Sequence, residues 1–156
     1  MNNIITISGW GQSSDSLANV APEGALHLDY SKFANINDFF ESIKGQGPDL
    51  VIGWSLGGQL ALRAISEEII KPKALCLIAT PYQFVVSKEI KCAMDRDTFN
   101  LFHRNFENDP VKTIKRFATL ISLNDIHARD ILLKLRQGAD IEHAGKWLYW
   151  LEELES

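Results

Sequence analysis

The chain has 156 residues, 46% hydrophobic and 23% charged, and its 16 Lys+Arg against 20 Asp+Glu leave a net charge of −4. That length makes about one domain, with a core large enough to fold without disulfide or metal staples. The composition excludes a disordered, collagenous or coiled-coil chain, and the absence of a basic surplus argues against a nucleic-acid binder.

In chain order, Ile4 to Ile7 predicts a buried strand that ends at the turn signal Gly9-Trp10-Gly11. Ala25 to Leu28 predicts a second short strand. Ile36, Phe39, Phe40 and Ile43 fall on one helical face, and Gly45-Gln46-Gly47-Pro48 breaks that helix. Leu50 to Gly53 is a third predicted strand. Gly57 to Ile70 reads as a helix with Leu60, Ala61, Ala64 and Ile65 inward. Pro72 resets the chain, and Ala74 to Ala79 is a fourth strand. Cys76 sits inside that last apolar run, which predicts a buried, reduced thiol. Neither Cys76 nor Cys92 has metal-ligand spacing, so no metal site is expected.

Beyond Pro81 only helical patterns remain. Phe99, Phe102 and Phe106 share a face. Asp109-Pro110 is a helix start, with Asp as N-cap and Pro at the first helical position. Val111, Ile114, Phe117 and Ile121 form one predicted apolar stripe. Ala128, Ile131, Leu132 and Leu135 form another, stopped at Gly138. Trp147, Trp150, Leu151 and Leu154 mark a last amphipathic helix. The start of the chain lacks a basic, apolar leader pattern. No stretch reaches the roughly 18 apolar residues of a membrane span. The expected address is the cytoplasm, with no membrane partner.

One motif carries chemistry. Gly53-Trp54-Ser55-Leu56-Gly57 fits Gly-x-Ser-x-Gly, lies between a predicted strand and a predicted helix, and is followed by Gly58. A serine on so sharp a bend projects its hydroxyl from the sheet, near the positive end of the helix. The amide of Leu56 can then face a developing oxyanion. The pentapeptide also arises as an ordinary glycine-rich turn. A dinucleotide-binding loop fits less well, because Ser14 stands where its third glycine belongs.

These residues resemble the α/β-hydrolase superfamily, and within it the pimeloyl-[acyl-carrier protein] methyl ester esterases of biotin synthesis. Ser8-Gly9-Trp10-Gly11 resembles that family's His-Gly-Trp-Gly oxyanion loop. Gly53 to Gly58 matches its nucleophile elbow. Ala79-Thr80-Pro81 resembles the exit toward a helical lid, and Arg116-Phe117 a lid helix. The resemblance implies an α/β-hydrolase core over 1–86, with about four mostly parallel strands, and a helical lid over 87–156. It implies Ser55 as nucleophile, backbone donors of Trp10 and Leu56 as oxyanion hole, and Trp10, Trp54 and Phe117 lining the acyl site. Lys112, Arg116 and Arg129, with Lys134 beside a fourth aligned place, would grip an acidic acyl-carrier protein. The same basic run also fits a solvated helix face. The implied activity is hydrolysis of an acyl methyl ester, on the carrier or on a small ester, with no cofactor.

Ser8 departs from the family's histidine, a change that should tune the loop rather than abolish backbone donation. A serine needs a base oriented by an acid, in the chain order Ser, then Asp or Glu, then His. No acid or histidine in that order is identifiable. His27 precedes the serine, and His103, His127 and His143 fall in the helical part. Asp29 and Asp49 also precede it. The fourth strand is then expected to expose an apolar edge open to pairing. A non-catalytic carrier-binding module, or a catalytically incomplete fragment, is the alternative to an active esterase.

Overall fold

The computed structural model describes residues 3–155, which cluster into two compact units. Unit 1 runs from Asn3 to Trp10 and from Ser14 to Tyr82. Unit 2 runs from Gln83 onward and includes Gly11–Ser13.

Unit 1 holds a sheet of four parallel strands, β1 (Ile4–Ile7), β2 (Leu26–Leu28), β3 (Leu50–Trp54) and β4 (Ala74–Ile78), in the order β2-β1-β3-β4. Each was foreshadowed by a short apolar run. β1 is buried throughout, and in β3 Val51 is fully buried. This is the continuous apolar signature of a central parallel strand. Register sets Ile7 beside Gly53, and Gly53 beside Leu77.

Helix α1 (Ile36–Ile43) follows β2. Asn35 caps it by accepting the Asp38 amide at 3.0 Å, and Phe39, Phe40 and Ile43 go inward. Helix α2 (Leu56–Ser66) follows β3 directly and buries Leu56, Leu60, Ala61 and Ala64. It ends before the expected Ile70. Glu68, at φ 57, turns the chain left-handed, and Ile70 is buried outside the helix. At the start of β4, Lys73 bonds Asp49 at 2.6 Å, tying β4 to the segment ahead of β3. The hydrogen bond from Lys73, the amide of Asn3 and the Lys73 charge together hold the Asp49 carboxyl below its usual range.

Two expectations are corrected. Cys76 is exposed, not buried, because β4 is an edge strand among the described residues and lacks the cover that the apolar run suggested. Ile121 is also exposed. The inner face of its helix runs through Ile114, Ala118 and Ser122 instead.

Unit 2 is helical: α3 (Arg96–Asn108), α4 (Pro110–Ser122), α5 (Ala128–Gln137) and the short α6 (Trp147–Glu152). Its core holds Phe99, Phe106, Ile114, Trp147, Trp150, Leu151 and Leu154. Asp95 caps α3 through the Thr98 amide at 2.9 Å. Asp109 caps α4 through the Lys112 amide at 3.0 Å, with Pro110 at its first position. α5 buries no residue fully, and Gly138 ends it. The stretch Gly11–Ser13 packs here: Ser13 donates its amide to the Gly138 carbonyl at 2.7 Å, and the Gln12 side chain donates to the Leu135 carbonyl at 3.2 Å.

The cap at Asp109 gives a simple check. Asp109→Ala removes an acceptor for an orphan helix amide and should lower stability by about 1 kcal/mol, read from the urea midpoint. An unchanged midpoint would mean that the cap contributes nothing to α4.

Candidate active site at the end of the central strand

Ser55 sits between β3 and α2 at φ 53 and ψ −121, a left-handed conformation that a non-glycine residue rarely adopts. Its amide donates to the Ile78 carbonyl at 3.0 Å, and its own carbonyl accepts the amides of Gly58 and Gln59. The backbone is thereby fixed on both sides while the side chain stays half-buried. Such strain persists only where neighbours over-determine it.

The glycines explain how the bend closes. A Cβ on Gly57 would lie 2.2 Å from the Ile7 carbonyl oxygen and 2.4 Å from that of Ser8, so α2 starts in direct backbone contact with the end of β1. A Cβ on Gly58 would strike the Thr80 side chain at 2.0 Å. Gly9 closes the other side: a Cβ there would lie 3.2 Å from the Trp54 ring and 3.5 Å from Ser55 Cβ. Gly9 thus lies against the serine.

Leu56 is buried as the first residue of α2, and its amide has no intrahelical acceptor. Trp10 is 3% exposed. Trp54 is half-buried and packs on Ile4, Leu17 and Ile52. Two supporting residues escaped the sequence reading, Thr80 against Gly58 and Gln59, whose side-chain amide donates to the Pro81 carbonyl at 3.2 Å. The doubled Gly57-Gly58 was the available signal, since two glycines at a helix start announce two close approaches.

His27, His103 and His143 each have a polar side-chain partner. In unit 1, His27 shares a 2.6 Å hydrogen bond with Thr6 through Nδ1. In unit 2, His103 faces Glu107 at 3.4 Å and Glu152 at 3.1 Å, His127 precedes α5, and His143 faces Asp140 at 3.7 Å. Asp29 accepts from Ser31 at 2.5 Å. Among the described residues, no group of three or more His, Cys, Asp or Glu is arranged to hold a metal. None of the described helices is long and apolar enough to cross a membrane.

In unit 2, Lys112, Arg116, Arg129 and Lys134 are all exposed. Lysines elsewhere pair with acids, as Lys44 does with Glu41 and Lys146 with Asp140. Lys112 and Arg116 instead line a groove of about 290 Å³ between α3 and α4, with Leu101, Phe102 and Leu120 as its apolar wall. Phe117 is half-buried, its ring 5.5 Å from that of Phe102.

Two substitutions probe the bend. Ser55→Gly removes the left-handed penalty and should raise stability by about 1 kcal/mol in urea unfolding, whereas Ser55→Ala should not. Gly57→Ala forces α2 off β1 and should lower stability by about 3 kcal/mol. A Gly57→Ala chain as stable as the parent would disprove the backbone contact.

No protein-family profile matches the chain. Among curated proteins, it is 30% identical over 155 residues to the biotin biosynthesis bifunctional protein BioHC of Teredinibacter turnerae, a match covering 82% of this chain and 27% of that protein. It is 28% identical over 149 residues to the pimeloyl-[acyl-carrier protein] methyl ester esterase of Xanthomonas axonopodis pv. citri, covering 86% of this chain and 58% of that one. The chain therefore spans between about a quarter and three fifths of the length of these relatives. Among solved structures, an esterase from Exiguobacterium antarcticum superposes with a TM-score of 0.70 at 14% identity, covering 100% of this chain and 68% of that one. With its parallel sheet, its strand–serine–helix bend and these likenesses, the chain has an α/β-hydrolase fold, and its sequence is similar to the pimeloyl-[acyl-carrier protein] methyl ester esterases.

Proposed function

We propose that the chain is a carboxylic ester hydrolase acting through an acyl-serine intermediate, with Ser55 as the attacking group. The observation that carries this reading is the serine at φ 53 on the first turn of α2, with Gly9 packed against it. Ser55 Oγ attacks the ester carbonyl, its proton passes to a base, and the alcohol leaves from an acyl-serine. Water then releases the acid and restores the hydroxyl. Charge developing on the carbonyl oxygen is met by the Leu56 amide at the helix start, with the Trp10 amide as second donor. Trp10 and Trp54 would wall the acyl chain. The residues 1–86 then serve as core and 87–156 as lid.

The substrate class is a methyl ester of an acyl chain on an acyl-carrier protein, with a pimeloyl chain as first choice. Two considerations support it: the names of the relatives, and the exposed cations Lys112, Arg116 and Arg129, with Lys134, which suit an acidic carrier despite the net negative charge. A carrier-binding module without turnover is the second reading. What favours it is that no acid and histidine in the order Ser, Asp or Glu, His are identifiable after Ser55 in the sequence.

A fluorophosphonate probe should label the wild-type chain and leave Ser55→Ala untouched. Absence of labelling in both would favour the module. With the carrier-linked methyl ester, Arg116→Ala combined with Arg129→Ala should raise KM about tenfold and leave kcat unchanged. Hydrolysis of a small soluble ester should not move. Equal effects on both substrates would remove the carrier-docking role of these residues.

A further inference from the structure

We infer that Gln59 is a positioning residue. By pinning the Pro81 carbonyl, its side chain holds a second left-handed residue, Ala79, in the conformation that fixes the Ser55 backbone. The pin stands on the geometry of unit 1; its consequence for turnover rests on the esterase reading above.

Among the described residues four non-glycine residues have positive φ, and two of them meet at this bend: Ser55 at 53° and Ala79 at 43°. Ala79 directly follows β4 and is exposed. A methyl side chain has no polar group with which to favour the left-handed region, as an asparagine has. The conformation of Ala79 is therefore imposed by its surroundings.

Both neighbours of Ala79 are tied to the serine bend. On one side, the Ile78 carbonyl accepts the Ser55 amide at 3.0 Å and the Thr80 hydroxyl at 3.3 Å. On the other, the Pro81 carbonyl accepts the Gln59 side-chain amide at 3.2 Å. Gln59 is in turn bonded to the serine, its backbone amide donating to the Ser55 carbonyl at 3.2 Å. These bonds close a ring from Ser55 through Ile78, Ala79, Thr80 and Pro81 to Gln59 and back. The Gln59 side chain is the ring's one side-chain link.

The burial of Gln59 shows what that link costs. It is 6% exposed and precedes the buried, apolar Leu60 and Ala61. Pro81 offers a carbonyl, so the contacting atom must be the donor Nε2. Oε1 is then buried with no hydrogen-bond partner among the described residues. A buried acceptor without a donor lowers stability and asks for a reason. Holding the turn after β4 supplies it. With Pro81 released, Ala79 can return to negative φ, the Ile78 carbonyl leaves the Ser55 amide, and Ser55 loses one of the bonds that keep it at φ 53.

Gln59→Met keeps the length and helix preference of the side chain and removes the donor. In NMR hydrogen exchange on the whole chain, the Ser55 amide should exchange about tenfold faster in this variant, with the β1 amides unchanged. Adding Ala79→Gly should bring Ser55 back to within about twofold of the parent, because glycine takes positive φ freely and the turn no longer needs the pin. Fluorophosphonate labelling of Ser55 should follow the same order, about tenfold slower in Gln59→Met and recovered in the double variant. Ser55 exchange that Gln59→Met leaves unchanged would overturn the proposal. So would a loss of protection that spreads through β1 or that Ala79→Gly does not restore, because Gln59 would then be a packing residue. Should Gln59→Met not fold, the double variant must fold; failure of both counts equally against the pin. A parent chain that resists the probe yet shows the exchange pattern would sink the esterase reading and leave the pin standing. A labelled parent with Ser55 exchange indifferent to Gln59→Met would do the reverse.

Discussion

The contact on which unit 1 depends is between backbone and backbone. The start of α2 lies so close to the end of β1 that Gly57 has the carbonyls of Ile7 and Ser8 where a Cβ would be. Because β1 and β3 are paired from Ile4–Leu50 to Ile7–Gly53, the ends of both strands are fixed before the chain turns. The turn must then be made in very few residues, and Ser55 absorbs it at φ 53. Its amide is held by Ile78 and its carbonyl by Gly58 and Gln59, so the strained residue cannot relax without breaking bonds on either side. The strain is thus a consequence of packing a helix onto a central strand, and it falls on Ser55.

Much of this was legible because the same physics writes both sequence and structure. Central parallel strands are apolar on both faces, so Ile4 to Ile7 and Leu50 to Gly53 announced themselves. Asp109 before Pro110 announced a helix start, and the capping bond to the Lys112 amide is there. The Gly-x-Ser-x-Gly pattern announced a bend that only small neighbours permit. What was not legible depends on the neighbours of an element. Cys76 looked buried because its run is as apolar as that of β3, but exposure is set by what lies beyond the strand, which no local pattern encodes. Ile121 fits a helical stripe, yet the burial of Ala118 and Ser122 shows that the inner face is rotated toward small residues. The grouping of Gly11–Ser13 with unit 2 was hidden for the same reason. It rests on a bridge between Gln12 and Ala139, far apart in sequence.

Unit 2 shows a different economy of charge. Helices α3 and α4 are capped by aspartates, Asp95 and Asp109, which use their carboxylates on backbone amides rather than on lysines. Hydrogen bonds from Thr98 hold the Asp95 carboxyl below its usual range, so it remains a charged acceptor at neutral pH. With acids committed in this way, Lys112 and Arg116 reach the groove between α3 and α4, whose described lining offers Asp109, already engaged as a cap, as its carboxylate. Exposed cations within one helix repeat of each other repel slightly and are tolerated where a solvated face or an anionic partner offsets them. Leu101, Phe102 and Leu120 form the apolar wall of the same groove.

The two ends of the elbow ask for different things. On the β1 side the site is closed: Gly9 meets Trp54 and Ser55, and Ser8 is buried beneath Gly57. On the β4 side the elbow is braced by the Ile78 carbonyl and by Thr80 against Gly58, at the end of a strand whose outer rim is bare among the described residues. The bend is therefore held from two neighbouring strands at once, which is why the positive φ of Ser55 persists.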